Sequence, residues 1–149
     1  MTPLFKKLNL GDNKTILVLN APDSFEIELS QISGVTIQRK VSSTSAFALG
    51  FAMTREQLDR VSATLVKVSK GDAIVWVAYL KATSKRYAGE FNRDNGWTVL
   101  GNAGFEPVRQ VSIDADWTAL RFRRTAHIKS FTRSNAMAIS AEGKRRTRR

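Results

Sequence analysis

Hydrophobic residues form several short uninterrupted runs, and these runs predict strands that are buried on both faces. Strand one covers Lys14 to Asn20, strand three covers Ala46 to Met53, and strand four covers Ala73 to Leu80, the longest apolar run. Continuous runs of this length are typical of central strands in a parallel sheet. Apolar and polar residues alternate from Val35 to Val41, so we expect a less buried second strand nearer an edge.

Apolar residues at helical spacing lie between these strands. In the first such segment, Phe25, Leu29 and Ile32 share one helix face, and we expect Asp23 or Ser24 to cap this helix. Together with strand one, this segment reads as the first half of a βαβ unit.

The clearest helix signal begins at Thr54. Thr54 and Gln57 match a capping box, in which each side chain satisfies an otherwise unpaired backbone N–H. The apolar positions that follow at helical spacing are Leu58, Val61, Leu65 and Val68. We expect Lys70-Gly71 to end this helix, and a further helix over Asn92 to Ala103, capped by Asn92 and closed by Gly104.

The last patterned segments predict an antiparallel hairpin, with strands over Val108 to Ile113 and Trp117 to Arg123. Strands that alternate with helices indicate a three-layer, Rossmann-like α/β fold with a mostly parallel sheet. Ser42 to Ser45 is too short for a crossover helix. Either strands two and three pair antiparallel, or strand two is brief and Arg39 to Ser45 runs back extended, which we favour.

The length of 149 residues fits one domain, which we place at 1–124, followed by a basic extension at 125–149. The chain has no window of roughly 18 uncharged apolar residues, so we expect no membrane span. Lys6 and Lys7 are not followed by a long apolar stretch, so we expect no secretory signal and a cytoplasmic protein.

The residue counts exclude much of enzyme chemistry. The chain has no cysteine and a single histidine, His127. Disulfides, thiolate zinc sites, iron–sulfur clusters, cysteine nucleophiles and histidine-based metal cages are therefore excluded. We assign no metal site and no catalytic residue.

Positive charge is concentrated at the C-terminal end. The formal net charge is +11, and the segment 125–149 carries seven lysines and arginines against one glutamate. Such a run can bind phosphates nonspecifically by counterion release. Because no aromatic side chain stands beside its arginines, we favour a solvated terminus over nucleic-acid binding. The residues concerned are Lys144, Arg145, Arg146, Arg148 and Arg149.

Two diagnostic positions argue against the usual nucleotide cofactors. The turn after strand one, Asn20 to Ser24, has no glycine, and Pro22 has no amide hydrogen to donate. Strand two ends in Arg39 and Lys40 where an acid would hold a ribose diol. A dehydrogenase or methyltransferase with the customary cofactor pose is disfavoured, and we expect no cofactor.

Cations and hydroxyl groups follow strand four, where ligands of open α/β sheets enter. They predict an anion site at this edge, supported by charge and by hydroxyl donors. The alternative is structural, with Lys81 lying over Trp76 or Tyr79 and the hydroxyl groups bonding to loop backbone. The candidate ligand-binding residues are Asn20, Asp23, Lys81, Thr83, Ser84 and Arg93.

Other conspicuous side chains favour structural roles. Trp76, Trp97 and Trp117 each fall within an apolar pattern, so we expect them in the core. Asp114 and Asp116 fit the chemistry of a hairpin turn better than a general acid–base pair. His127 follows the last strand, where we expect it on the surface.

Several short segments carry a family resemblance through their order and spacing. They are Thr2-Pro3-Leu4, Lys6-Lys7-Leu8, Asn20-Ala21-Pro22 with Phe25, Trp76-Val77-Ala78-Tyr79 with Lys81 and Ser84, and Asp116-Trp117 with Leu120 and Phe122. Together they resemble a family of small bacterial proteins, domain of unknown function 3052. The resemblance covers Thr2 to about Arg124 and implies a compact Rossmann-like domain, similar to methyltransferases but without their glycine-rich loop, and with no named activity. This chain has Leu80 where similar members often have proline.

Three hypotheses about function follow. The first is a noncatalytic domain that binds an anionic ligand or partner at the C-terminal edge of the sheet. The second is a divergent methyltransferase-like enzyme, with Lys81 and Arg93 holding a phosphate or carboxylate and Asp23 acting as base. The third is nucleic-acid binding through the basic extension. Partner identity and oligomeric state stay open.

Overall fold

The computed structural model describes residues 2–85, 88–92 and 95–128. The chain folds into a six-stranded mixed sheet between two helical layers. The strands are β1 (Thr15–Leu19), β2 (Thr36–Gln38), β3 (Ser45–Phe51), β4 (Ser69–Leu80), β5 (Phe105–Ser112) and β6 (Trp117–Arg124). The helices are α1 (Pro3–Lys7), α2 (Asp23–Ser30), α3 (Arg55–Val68) and α4 (Thr98–Asn102), with a 3-10 turn at Thr125–His127. Within the described ranges, no helix has the length and apolar character needed to cross a bilayer.

The strand order is β2-β1-β3-β4-β6-β5. The first four of these neighbours run parallel, whereas β6 is antiparallel to both β4 and β5. This order confirms the predicted Rossmann-like sheet with an antiparallel C-terminal hairpin. It also confirms a brief second strand at the edge, since β2 has three residues and pairs with β1 rather than with β3.

Each face of the sheet has its own hydrophobic core. On one face α1 and α2 bury Phe5 and Phe25, whose rings continue through Phe51 to Trp117. On the other face α3 packs on β3 and β4, and α4 packs on α3 and β5. The three tryptophans are all buried, as predicted.

The helix that begins after Thr54 is confirmed in detail. The Thr54 hydroxyl accepts a hydrogen bond from the Gln57 backbone N–H, and the Gln57 side chain accepts one from the Thr54 backbone N–H. The helix ends at Val68, so the prediction that Lys70-Gly71 stops it was wrong. Ser69 caps the helix through its backbone N–H, and β4 begins at that residue.

Two other helix predictions were also wrong. Neither Asp23 nor Ser24 caps α2, because Pro22 occupies the N-cap and no side chain bonds there. The helix predicted over 92–103 is confined to Thr98–Asn102, because Gly96 has φ +96° and breaks the helical path. Asn92 therefore caps no helix, and its carbonyl instead accepts a hydrogen bond from Trp97 Nε1 at 3.1 Å.

Candidate functional site

The carboxyl ends of the parallel strands define the edge at which ligands of such sheets bind. The chain goes from β1 to β2 on one side and then crosses to β3 on the other side, so the strand order reverses between β1 and β3. Of the cavities lined by described residues, two open along this edge, and both lie on the α3 face of the sheet.

The first cavity, which we call the β1–β2 cavity, has a volume of about 430 Å³. It lies between the residues that follow β1 and β2 and one side of α3. Cationic, amide and apolar side chains share its surface. The lining residues are Leu19, Asn20, Arg39, Lys40, Val41, Gln57, Arg60, Val61 and Thr64.

Three cations and no carboxylate belong to this lining. Arg39 makes two hydrogen bonds to Glu26, at 2.5 and 2.7 Å, and this pairing holds the pKa of Glu26 below its ordinary value. Arg60 pairs with Glu56 one turn earlier on α3. Lys40 has no ion pair within the described part of the chain. Two of the three cations are therefore offset by acids that lie outside the lining, and Lys40 is the unpaired cation among the described lining residues.

Asn20 lies at the point where the strand order reverses, between the ends of β1 and β3. Its backbone has φ +60°, a left-handed conformation that asparagine tolerates better than most residues. Its side-chain amide donates a hydrogen bond to the Phe51 carbonyl at 3.3 Å, which joins the ends of β1 and β3. The opening between these two strands is therefore bridged, and the cavity lies towards β2.

The second cavity, which we call the β4 cavity, has a volume of about 560 Å³. It lies beyond the end of β4, beside the start of β6. Aromatic and aliphatic surface alternates with hydroxyl and amide groups, and the lining includes one cation and one acid. The lining residues are Tyr79, Leu80, Lys81, Ala82, Ser84, Ala88, Gly89, Glu90, Phe91, Asn92, Asn95, Gln110 and Thr118.

The polar groups of the β4 cavity take part in a hydrogen-bond network. Gln110 Nε2 donates to the Tyr79 hydroxyl at 3.4 Å and to Thr118 Oγ1 at 3.3 Å. At the rim, Lys81 Nζ donates to Ser112 Oγ at 2.6 Å. Because these groups already bond to one another, the cavity has a fixed polar surface but little net charge.

The first turn of α3 separates the two cavities. Gln57, on the β1–β2 side, is held by the capping box. Glu90, on the β4 side, accepts a hydrogen bond from the Arg55 backbone N–H at 2.9 Å, and its own N–H donates to the Met53 carbonyl at 3.4 Å. The loop around Glu90 thus packs against the start of α3.

The structure does not bring the predicted ligand-binding residues together in one cavity. Asn20 lines the β1–β2 cavity, whereas Lys81 and Ser84 line the β4 cavity. Asp23 and Thr83 are exposed and line neither. Arg93 lies outside the described residues, as do Lys144, Arg145, Arg146, Arg148 and Arg149. A ligand-binding role for any of these residues stays a prediction.

The aspartates of the predicted hairpin turn act as turn residues. Asp114 Oδ1 accepts hydrogen bonds from the backbone N–H groups of Asp116 and Trp117, both at 2.8 Å. Asp116 Oδ1 accepts one from Ser84 Oγ, also at 2.8 Å. His127 is exposed, as expected.

Several lining residues were not singled out as ligand-binding from the sequence. Arg39 and Lys40 enter the sequence analysis only as the end of strand two, and nothing local in the sequence marks Arg60. Val41 is one of two large hydrophobic side chains that the described residues leave exposed, at 47%, and this exposure follows from the fold rather than from the sequence pattern. Isolated exposed apolar groups gain meaning when they line a cavity.

Comparison with solved structures places this fold among those of S-adenosylmethionine-dependent methyltransferases. A SAM-dependent methyltransferase from Aquifex aeolicus aligns over 81% of this chain and 87% of its own, with a TM-score of 0.56 and 11% identity. Magnesium protoporphyrin IX methyltransferase from Synechocystis PCC 6803, solved with bound SAM, aligns over 82% and 74%, with a TM-score of 0.52 and 10% identity. N-methyltransferase NodS from Bradyrhizobium japonicum WM9 aligns over 80% and 91%, with a TM-score of 0.50 and 14% identity.

At these identities the likeness concerns the fold alone. No protein-family model matches the chain, and no curated protein matches it either. The resemblance to domain of unknown function 3052 therefore stays a prediction. What the chain shares with the three methyltransferases is a mixed, Rossmann-like α/β sheet in which most strands are parallel.

Proposed function

We propose that this chain is a divergent methyltransferase-like protein that binds a small organic anion in the β1–β2 cavity. Three cationic side chains and no carboxylate in the cavity lining carry the proposal: Arg39, Lys40 and Arg60. The cavity also lies at the carboxyl ends of β1 and β2, next to the strand-order reversal, where open α/β sheets bind ligands.

The apolar part of the lining favours an organic anion over an inorganic ion. Leu19, Val41 and Val61 contribute hydrophobic surface beside the cations. A volume of about 430 Å³ lies within the range of small-molecule pockets. A nucleoside phosphate has both required parts, a flat apolar base and a multiply charged phosphate that guanidinium and ammonium groups bind well.

S-adenosylmethionine in its customary pose does not fit the residues present. Its sulfonium centre is a cation and would enter a lining that has three cationic side chains, of which Arg39 and Arg60 are ion-paired, and no acid. The turn after β1 has Ala21 and Pro22 in place of glycines, and the Asn20 side chain bridges β1 to β3. We therefore derive no methyl-transfer step.

Methyl transfer from S-adenosylmethionine is the second candidate, and the structural likeness favours it. The Aquifex and Synechocystis enzymes that share this fold are named methyltransferases. Two cavities on one face, separated by the first turn of α3, also offer separate places for two substrates. A cofactor pose displaced towards β2 and α3 would be required.

Ligand-induced stabilisation separates the two candidates. Thermal unfolding of the full chain is measured with adenosine diphosphate, with pyrophosphate, and with S-adenosylmethionine. A ligand at a hundredfold excess over its Kd stabilises the native state by about 2.7 kcal/mol, which is readily measured. We expect adenosine diphosphate to raise the Tm most, pyrophosphate less, and S-adenosylmethionine not at all.

Charge-matched variants locate the effect. Lys40→Gln with Arg60→Gln removes two cations from the cavity, whereas Arg55→Gln with Lys67→Gln removes two exposed cations of α3 outside its lining. We expect only the first pair to abolish stabilisation by adenosine diphosphate. Stabilisation by S-adenosylmethionine alone would replace the first candidate with the second.

A further inference from the structure

Three arginines cluster on the β5–β6 hairpin, on the face of the sheet opposite α3 and the two cavities. Arg109 and Arg121 are directly paired across the two strands, and Arg123 lies two residues further along β6 on the same face. Side chains directly opposite or two apart on a strand lie within about 7 Å of each other. Arg121 pairs with Trp76, whose side chain belongs to the core under α1 and α2, so the cluster lies on that face of the sheet.

Arg121 is partly desolvated and has no hydrogen-bond partner among the described residues. Its Nε is buried and makes no hydrogen bond. Burial, followed by the neighbouring Arg123, lowers the pKa of Arg121 from its ordinary value. A guanidinium placed between two others gains most from a bound anion, because an anion satisfies its donors and offsets the repulsion.

An acid partly offsets the charge of this cluster, and its electrostatic effect reaches Arg121 as well as Arg123. Asp72 bonds to Arg123 through both carboxylate oxygens, at 2.9 and 2.5 Å. Glu106, which is fully buried, lies opposite Arg123 in the strand register. Among the described residues, the exposed Arg109 side chain donates one hydrogen bond, to the neutral Asn9 side chain at a long 3.4 Å.

Lysines of α1 lie near this surface. Asn9, which bonds to Arg109, follows α1, whose last turn presents the exposed side chains of Lys6 and Lys7. In the sequence, the segment 129–149 carries seven of the chain's 24 lysines and arginines. We call the three arginines with Lys6 and Lys7 the arginine patch.

We propose that the arginine patch binds the phosphate backbone of double-helical nucleic acid. Protein interfaces rely on apolar or aromatic anchors, and single-strand binding relies on exposed aromatic rings. The large hydrophobic side chains that the described residues expose are Ile27, on α2, and Val41, after the edge strand β2, and neither lies on the hairpin. A surface with clustered guanidinium groups and no such anchor suits duplex phosphates, which need only charge and hydrogen-bond donors.

The test measures binding of the full chain to a short fluorescent DNA duplex and to an RNA duplex of the same sequence, by anisotropy over a series of salt concentrations. The patch variant is Arg109→Gln with Arg121→Gln, which leaves the Arg123–Asp72 pair intact. Loss of two phosphate contacts should weaken binding at every salt concentration and reduce the slope of log Kobs against log salt by about 1.8.

Two controls separate local contacts from net charge. Arg55→Gln with Lys67→Gln removes the same charge from α3, on the other face of the sheet, and should leave the slope unchanged. Arg109→Lys with Arg121→Lys keeps the charge and should retain most of the slope, which also guards against a patch variant that fails to fold. Thermal unfolding checks that each variant is native.

Equal slopes for the wild type and the patch variant would overturn the proposal, as would equal losses in the patch and α3 variants. A full-length variant with Lys144, Arg145 and Arg146 changed to Gln measures the contribution of the C-terminal segment. If these three substitutions abolish all duplex binding, the arginine patch does not bind the duplex by itself and the proposal is overturned. Binding of both duplexes through the patch supports backbone recognition without a choice between DNA and RNA.

Discussion

Replacing Gly50 by alanine tests how closely α3 lies on the sheet. Gly50 is buried in β3, between Leu19 of β1 and Val77 of β4. A Cβ built on Gly50 overlaps Val61 Cγ1 and lies 3.7 Å from Leu65 Cδ1. Its backbone is ordinary for a strand, so the absence of a side chain serves the contact with α3 and not the dihedral angles.

The magnitude follows from this overlap. Forcing one extra methyl group into a well-packed core costs about 1–3 kcal/mol, and we expect Gly50→Ala to lower the free energy of unfolding by about 2 kcal/mol. Val61→Ala removes the overlapping atom and costs about 1–2.5 kcal/mol by itself. In the Val61→Ala background the new methyl group fills the vacated space, so Gly50→Ala should cost less than about 0.5 kcal/mol. The expected coupling energy is therefore at least about 1 kcal/mol, typical of residues in direct contact.

Urea unfolding of the wild type, both single variants and the double variant gives the complete cycle. The buried tryptophans report the transition, and equal m-values are required before the free energies are compared. Additive effects would refute the inference that the Gly50–Val61 contact sets the distance between α3 and β3. Because Val61 also lines the β1–β2 cavity, Gly50→Ala should weaken adenosine diphosphate binding as well.

Three further changes probe other parts of the fold. Thr54→Ala removes the hydroxyl that caps α3 and should cost about 1 kcal/mol in urea unfolding. Trp76→Phe removes the donor that bonds the Leu8 carbonyl at 2.9 Å, and hydrogen exchange should show faster opening of α1, with a cost of about 1–3 kcal/mol from the unsatisfied carbonyl alone. The hydrogen bond from Arg123 holds the pKa of Asp72 below its ordinary value of 3.8. This pair therefore stabilises the protein above that pH and ceases to do so as the pH falls through the lowered folded pKa. Arg123→Gln should be less stable than the wild type by up to about 1 kcal/mol at neutral pH, and the difference should vanish in acid.

Each of these expectations has a matched control. Ser24→Ala should change stability by less than about 0.5 kcal/mol, because Ser24 caps no helix, and a loss equal to that of Thr54→Ala would contradict the capping assignment. Unchanged exchange of α1 amides in Trp76→Phe would show that this hydrogen bond does not hold α1. A stability difference between Arg123→Gln and the wild type that persists unchanged in acid would assign the effect to packing instead of charge.

The strands and α3 could be predicted because their signals are local. Apolar runs such as 73–80 leave few alternatives to a buried strand, and the Thr54–Gln57 pair marks a helix start within four residues. The sequence contains two other local signals of this kind. Thr2-Pro3 is a cap followed by proline at the first helical position, which is how α1 begins. Asn95-Gly96 is a turn signal, and it explains why the predicted helix over 92–103 is confined to its last part.

The candidate site depended on strand order, which local patterns do not contain. Asn20 ends β1 and Lys81 follows β4, and β3 lies between these strands. Neighbouring strands are about 4.8 Å apart, so the two residues are separated by roughly 10 Å across the sheet edge. The arginine patch depends on register in the same way. Arg109 faces Arg121 only because the pairing shifts between Pro107 and Arg109.

The absence of a glycine turn after β1 has a structural consequence that the residue types alone do not reveal. The left-handed conformation that glycine adopts most easily is still present, at Asn20, with φ +60°. Asparagine adds a side chain to that conformation, and its amide bonds to Phe51 across the strand-order reversal. The turn after β1 therefore keeps its left-handed backbone while the Asn20 side chain closes the opening between β1 and β3. The cationic cavity between β2 and α3 is then the place left for a ligand. Asparagine in place of glycine after β1 thus shifts the candidate site from the β1–β3 opening towards β2 and surrounds it with cations, while the strand order is unchanged.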